Sequence, residues 1–202
     1  MQRFFSFLIV FLLLFAITVG FLALVDSLPD TTTPTPAPAP TTVLTQNGLQ
    51  IAEFPVRVVA KDINLDISVV NPTSTDVDLL DDALTQGAVH YPTSAPLGIN
   101  GTVLLFGHSS YLPVIIHQYY KTFDGIQDLK DGATVSVYSQ DMRYDYSVTS
   151  VNTADAAADS IALPNDAEYL TLVTCDSFTQ ATSSRYVVTA KFVSSAPLVN
   201  GN

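Results

Sequence analysis

The feature that most constrains the fold is a series of short β-branched segments that occupies the chain from about Ile51 onward. Gly, Pro, Asn or Asp residues interrupt these segments every few positions, which is typical of short strands joined by turns. Strands are expected at 56–59, 65–70, 88–91, 102–106, 134–138, 144–151, 169–174 and 186–193. About eight such strands predict a mostly β domain, either a closed barrel or a sandwich.

Little helix is expected within this domain. Residues 76–84 fit one short helix with Leu79, Leu80 and Ala83 on one face, and Ser74 or Thr75 would cap it. The stretch 112–130 has mixed periodicity and is interpreted as loop and short helix. The roughly 145 residues of 51–195 are enough to bury a core without disulfide bonds.

The N-terminal part of the chain has a different composition. Phe4–Val25 contains 22 consecutive uncharged positions dominated by Phe, Leu, Ile and Val, and ~20 apolar residues suffice for a transmembrane helix. A cleaved signal peptide is the alternative, but its apolar core would be shorter, ~7–15 residues. Arg3 precedes the span, while Asp26 and Asp30 follow it. The positive-inside rule then predicts a cytoplasmic N-terminus and an external position, at the cell membrane, for everything after residue 25.

A Thr/Pro-rich linker follows the predicted span. In residues 31–42 proline alternates with Thr and Ala, which favours extended polyproline II and a reach of about 37 Å at ~3.1 Å per residue. The predicted organisation is a cytoplasmic N-terminus, a transmembrane anchor, an extracellular linker, a β-rich domain and a C-terminal tail. The bounds of these parts are 1–3, 4–25, 26–50, 51–195 and 196–202.

Charge and cysteine content exclude several classes of protein. Only Arg3 among the 8 Lys and Arg residues precedes the linker, so residues 26–202 carry a formal charge of −12. Such an acidic domain is a poor candidate for nucleic-acid binding, which needs clustered basic residues. The single cysteine cannot form an internal disulfide and excludes Cys-rich zinc sites.

Three residues are candidates for covalent chemistry. Cys175 and His108 each come at the end of a strongly apolar segment, and strand ends are rigid places from which to present reactive groups. A thiol needs a basic partner, since its own pKa of ~8.5 leaves little thiolate at neutral pH. Arg185 begins a strand ten residues after Cys175, so a short antiparallel connection would bring it beside the sulfur. Taken singly, a cysteine is more often a small buried apolar residue, and a histidine or arginine is usually structural or on the surface.

Taken in order, these segments resemble the sortase family. The match consists of Gly107-His108-Ser109, the Thr-Leu-x-Thr-Cys box at 171–175, and Ser-Arg-Tyr-Val-Val at 184–188. Residues 88–92 and 123–132 are also similar to family segments, and the resemblance covers about 51–195. It implies an eight-stranded β-barrel with a peptide groove at the strand ends.

The resemblance also implies residue roles. Cys175 would attack a sorting-signal peptide of the Leu-Pro-x-Thr-Gly type to form a thioacyl-enzyme, and His108 would serve as general acid and then as base. Arg185 would steady the oxyanion or the peptide, and the assigned substrate-binding residues are Thr174, His90 and Ser109. The implied partners are surface proteins bearing the signal and an amine acceptor, such as a cell-wall precursor or a pilin lysine.

No cofactor is predicted. Some sortases bind calcium, and Asp155, Asp159, Asp166 and Glu168 could supply oxygen ligands, but residues 93–100 on the other side of the groove contain no acid. A zinc site built from His90, His108 and Cys175 has no supporting motif spacing. His117 is interpreted as a surface residue of a loop.

The leading hypothesis is a membrane-anchored cysteine transpeptidase that attaches proteins to the cell envelope. The alternatives are a pilin-polymerising sortase, a non-catalytic stalked domain that binds peptides, and a cysteine protease that only hydrolyses.

Overall fold

The computed structural model describes residues 11–12, 14–15, 41–45, 48–110, 118–155, 163–175 and 184–198, without the side chains of 41–51, 118, 175 and 184. The chain divides into two units, Met1–Pro36 and Ala37–Asn202. In the first unit the four described residues are helical, and the Phe11 and Phe15 rings stack with centroids 6.3 Å apart. The rest of the predicted anchor 4–25 and the linker residues 26–40 lie outside the described residues. Among the described residues, no helix is both long enough and apolar enough to cross a membrane.

The second unit is mostly β, and its described residues form ten strands. A two-stranded hairpin comes first, although no secondary structure was expected before Ile51, and eight strands then close into a barrel. The hairpin strands are β1 (Thr41–Thr45) and β2 (Gly48–Ala52). The barrel strands are β3 (Arg57–Ala60), β4 (Leu65–Val70), β5 (Ala88–His90), β6 (Gly101–Gly107), β7 (Thr134–Tyr138), β8 (Met142–Asp155), β9 (Glu168–Cys175) and β10 (Ser184–Pro197). The predicted eight-stranded barrel is confirmed.

The barrel order is β10-β8-β7-β3-β4-β5-β6-β9. Only two neighbouring pairs are parallel, β4 with β5 and β6 with β9. A parallel pair needs a crossover connection, and helix α1 (Val77–Leu84) supplies it between β4 and β5. Because β6 and β9 are parallel and β10 is antiparallel to β9, the C-terminal ends of β6 and β9 lie at the same rim as the N-terminal end of β10.

Side chains that alternate along the strands fill the barrel. Leu105 of β6, Leu172 of β9 and Val188 of β10 are fully buried in one core cluster, which also contains Phe123 and Ile126 from the β6–β7 connection. Burial of large aliphatic and aromatic side chains contributes roughly 1.5–3 kcal/mol each, which is the main term that holds such a barrel closed.

Helix α1 lies outside the barrel and differs in detail from its prediction. The cap is Asp76, whose carboxylate accepts hydrogen bonds from the backbone N–H groups of Asp78 and Leu79, rather than Ser74 or Thr75. Its buried residues are Ala83 and Leu84, which pack with Val89, while Leu79 is 52% exposed. The expected apolar face was therefore right for Leu80 and Ala83 and wrong for Leu79, because the helix rests on β5 through its C-terminal turn.

Candidate active site

Three neighbouring strand ends bring the candidate residues together. Arg185 of β10 pairs with Cys175, the last residue of β9. On the other side of β9, Gly107 of β6 is in register with Thr174, and His108 is the next residue along β6. The backbone positions of His108, Cys175 and Arg185 thus follow one another across the rim. The register itself juxtaposes a histidine, a cysteine and an arginine.

The three positions belong to the outer face of the barrel. Residues paired across strands share a face, and neighbours along a strand alternate between faces. Leu172 faces the core, whereas Val173 pairs with Phe106 and Val187 on the opposite face. Cys175 is two residues beyond Val173 and therefore occupies the outer set of positions. Helix α1 packs on this same face through Phe106 and forms one flank of the site.

His108 is half-buried at this rim. Its backbone carbonyl accepts a hydrogen bond of 2.8 Å from the Phe123 N–H, and its ring lies 5.4 Å from the Tyr120 ring, centroid to centroid. Burial lowers the pKa of His108 below its ordinary value, and the negative charge of Asp81 on α1 partly opposes that shift. The neutral imidazole is therefore favoured near neutral pH, and the protonated ring is a stronger acid than usual.

The Arg185 side chain contains a hydrogen-bond donor for which the described residues supply no acceptor. Its Nε atom is buried and has no hydrogen-bond partner among the residues that the structure describes. Leaving such a donor unsatisfied costs about 1–3 kcal/mol, so buried groups of this kind call for an explanation. A guanidinium in this state can donate to an oxygen that develops negative charge nearby, because its charge is permanent and its geometry is planar.

Two of the predicted substrate-binding residues are buried. Thr174 is 2% exposed and is one of the alternate residues of β9 that face the core. Ser109, which follows His108, is 6% exposed. Both make further interactions in the fold. Their assignment to peptide binding stays a prediction, and burial favours a role in holding the strand ends.

His90 is also buried, at 2% exposure. Its Nε2 atom lies 3.1 Å from the Ala95 carbonyl oxygen and 3.0 Å from the Ser94 hydroxyl, and its ring packs edge-on against Phe54. A peptide would reach this ring only if residues 94–95 moved. The predicted substrate-binding role of His90 gains no support from this geometry, which instead gives the ring a packing function.

The sequence patterns did not indicate that the β6–β7 connection contributes a residue to the surroundings of His108. Tyr120 contacts His108 across twelve residues of chain, and Asp81 acts on the same imidazole from a helix that begins before β5. The only local signal was the glycine in Gly107-His108, since a glycine beside a functional residue often permits close approach of another segment.

Several predictions concern residues or side chains that the structure does not describe. These are the Cys175 side chain, His117, Asp159 and the 176–183 loop that joins β9 to β10. Within the described residues, no group of three or more His, Cys, Asp or Glu side chains is placed to hold a metal ion. Calcium binding by the acidic β8–β9 connection is not tested by this observation, because residues 156–162 belong to that connection.

Comparison with known proteins identifies the family. A family model described as the sortase domain matches residues 58–193, about two thirds of the chain. The fold is similar to sortase A from Listeria monocytogenes, with a TM-score of 0.56 and 23% identity over 72% of this chain and 92% of that one. Sortase E from Streptomyces avermitilis matches with a TM-score of 0.53 and 21% identity over 74% of this chain and 94% of that one.

Sortase C-1 from Streptococcus pneumoniae matches with a TM-score of 0.55 and 22% identity over 68% of this chain and 66% of that one. No curated protein matches the sequence. The match to the family model shows that the chain belongs to the sortase family. Membership implies a transpeptidase that sorts proteins to the cell wall. Sortases of different classes match almost equally well, and this similarity establishes the fold without assigning a class.

Proposed function

We propose that this protein is a membrane-anchored cysteine transpeptidase that cleaves a Leu-Pro-x-Thr-Gly-like sorting signal and transfers the acyl part to an amine. The observation that carries the proposal is the register of the strands β6, β9 and β10, in which His108, Cys175 and Arg185 follow one another on the outer face of one rim. Family membership supports the reaction class.

The first half of the reaction forms a thioester. Neutral His108 first takes the proton of the Cys175 thiol. The thiolate then attacks the carbonyl carbon of the scissile peptide, and the carbonyl electrons move to oxygen. When the tetrahedral intermediate collapses, the C–N bond breaks and the leaving amine takes a proton from the protonated His108. The low pKa of His108 supports this step, because a more acidic imidazolium transfers its proton more readily.

The second half of the reaction runs the same steps in reverse order, with a new amine. An incoming amine attacks the thioester carbonyl, neutral His108 accepts its proton, and the C–S bond breaks to return the Cys175 thiolate. A covalent intermediate retains the acyl group until an amine arrives, which permits transfer instead of hydrolysis alone. In both halves the Arg185 Nε, which has no partner among the described residues, is suited to donate a hydrogen bond to the oxyanion.

The N-terminal segment supports a place for this reaction at the membrane. In the proposal, residues 4–25 anchor the chain and residues 26–50 carry the domain on the external side. An anchor raises the effective concentration of the enzyme toward substrates held on the same membrane. Deletion of residues 4–25 is expected to move the protein from the membrane fraction to the soluble fraction.

The test uses the full chain in detergent, a panel of Leu-Pro-x-Thr-Gly-like peptides and an oligoglycine acceptor. Wild type is expected to yield the peptide–oligoglycine product, and Cys175→Ala to yield none, because the chain has no other cysteine. Arg185→Lys serves as the matched control for Arg185→Ala. It keeps the charge but loses the planar donor, so activity is expected to fall strongly in both variants if the guanidinium geometry matters.

The outcomes separate the alternatives. Product formed by Cys175→Ala at the wild-type rate would contradict the mechanism. Cleavage without any amine-dependent product would indicate a protease. Binding of the peptide without turnover would indicate a non-catalytic peptide-binding domain, and efficient transfer to a pilin lysine in place of oligoglycine would indicate a pilin-polymerising enzyme.

A further inference from the structure

A short turn packs against the strand end that carries His108. The 3₁₀ helix Gln118–Lys121 begins this segment, and we use the name aromatic turn for residues 119–124. The Phe123 N–H donates to the His108 carbonyl at 2.8 Å, and the Ser110 N–H donates to Asp124 Oδ1 at 2.7 Å. These two hydrogen bonds lie on either side of Ser109 and fix the aromatic turn to the residues around His108.

The fit of the aromatic turn depends on Gly107. A Cβ atom at this position would lie 2.9 Å from Thr122 Cγ2, closer than a real Cβ tolerates, and 3.1 Å from Phe123 Cδ2, a contact that requires the ring to shift slightly. The turn is also closed internally, since the Thr122 hydroxyl and backbone N–H both donate to the Tyr119 carbonyl. The segment therefore holds a defined position against the strand end.

This arrangement sets the Tyr120 ring on the imidazole of His108. The two centroids are 5.4 Å apart, and the planes are inclined at 44°. Tyr120 is 39% exposed, whereas its turn neighbours Thr122 and Phe123 are buried. A ring this exposed adds little to the core, and one of its contacts is the imidazole of His108.

We propose that Tyr120 is a positioning residue for His108, whose ring restricts rotation of the imidazole and excludes water from one of its faces. The proposal rests on the proposed function, in which His108 moves the proton at both halves of the reaction. A well-positioned proton donor contributes about 10²–10⁴-fold to rate, and modest misplacement loses part of that factor.

Several groups face His108 and determine its titration. Asp81 on α1 favours the protonated ring, and burial opposes protonation. Tyr120 lies on the aromatic turn, and the positions of Cys175 and Arg185 lie across the ends of β9 and β10. Removing the Tyr120 ring exposes the imidazole to water while the carboxylate of Asp81 remains. The pKa of His108 is then expected to rise toward its ordinary value.

The experiment compares Tyr120→Ala, Tyr120→Phe and Tyr119→Ala in the full chain. Tyr119 is the matched control, because it is an exposed tyrosine of the same turn, and the hydrogen bonds that close the turn are accepted by its backbone carbonyl. The readouts are kcat and KM for peptide transfer, the thermal midpoint, and the pKa of the His108 imidazole from an NMR titration, with His108→Gln assigning the resonance.

In Tyr120→Ala we expect kcat to fall roughly tenfold with KM nearly unchanged, a raised His108 pKa and an unaltered thermal midpoint. Tyr120→Phe keeps the ring and should therefore keep the lowered His108 pKa and most of kcat, and Tyr119→Ala should behave as wild type. A Tyr120→Ala enzyme with wild-type kcat and His108 pKa would overturn the proposal, as would an equal effect of Tyr119→Ala. A wild-type protein without transfer activity would instead overturn the proposed function, and the catalytic role of Tyr120 with it.

Discussion

Replacing Gly107 with alanine tests whether the aromatic turn and the strand end that carries His108 form one packed unit. The new methyl group would approach Thr122 Cγ2 at 2.9 Å and the Phe123 ring at 3.1 Å. Neither side chain has space to withdraw, because Thr122 is 2% and Phe123 0% exposed. Overpacking of a buried site costs about 1–3 kcal/mol.

The lower flexibility of alanine in the unfolded chain offsets part of this cost, about 0.4–1 kcal/mol. The net loss in the free energy of unfolding is therefore about 1–2 kcal/mol. In a domain of this size each kcal/mol lowers the thermal midpoint by about 2–4 °C. The expected shift is thus a few degrees, measured by circular dichroism on the full chain in detergent. Transfer activity should fall further than stability, since the clash displaces the residues that contact His108.

A second substitution makes the test specific. Thr122→Ser removes the Cγ2 methyl group, which is the nearest obstacle, and keeps the hydroxyl that donates to the Tyr119 carbonyl. The double variant Gly107→Ala/Thr122→Ser should therefore be less destabilised than the sum of the two single variants, with a coupling energy of about 0.5–1 kcal/mol. Strict additivity of the two effects would refute the packing argument.

Two further predictions concern other parts of the domain. Asp76→Ala removes the carboxylate that accepts the N–H groups of Asp78 and Leu79, so it should cost about 1 kcal/mol in urea unfolding, and Asp76→Asn should restore most of it. His90 has a pKa lowered mainly by burial, so the unfolded chain binds its proton more readily and wild-type stability should decline as pH falls below about 6.5. His90→Gln should weaken that decline when thermal midpoints are compared across pH, and an identical pH dependence in the variant would contradict the assignment.

The strand pattern was predictable wherever apolar residues alternate between turns. The bounds of β4 and β7 match the expected 65–70 and 134–138, because each segment has a β-branched core and ends at a turn. The ends of β8 and β10 were missed, since the two strands pair there through residues that form no alternating apolar pattern, such as Ser184 with Asp155 and Pro197 with Met142. Pairing of this kind depends on the partner strand and leaves no local sequence pattern.

The candidate site was predictable only in part, for a related reason. The order and spacing of the His108, Cys175 and Arg185 segments predicted that these residues lie near one another. The pairing of β6, β9 and β10 places their backbone positions side by side at one rim. Tyr120 and Asp81 could not be predicted, because their proximity to His108 depends on how a turn and a helix pack on the outer face.

The central claim is that Cys175 becomes acylated by a sorting-signal peptide. The most direct measurement is the intact mass of the full chain after rapid acid quenching of its reaction with a Leu-Pro-x-Thr-Gly-like peptide, followed by fragment analysis of the modified residue. The account predicts an adduct equal in mass to the acyl part of the peptide, located on Cys175 and released by an added amine or by hydroxylamine. Peptide cleavage by wild type with no adduct on Cys175, or cleavage that persists in Cys175→Ala, would contradict it.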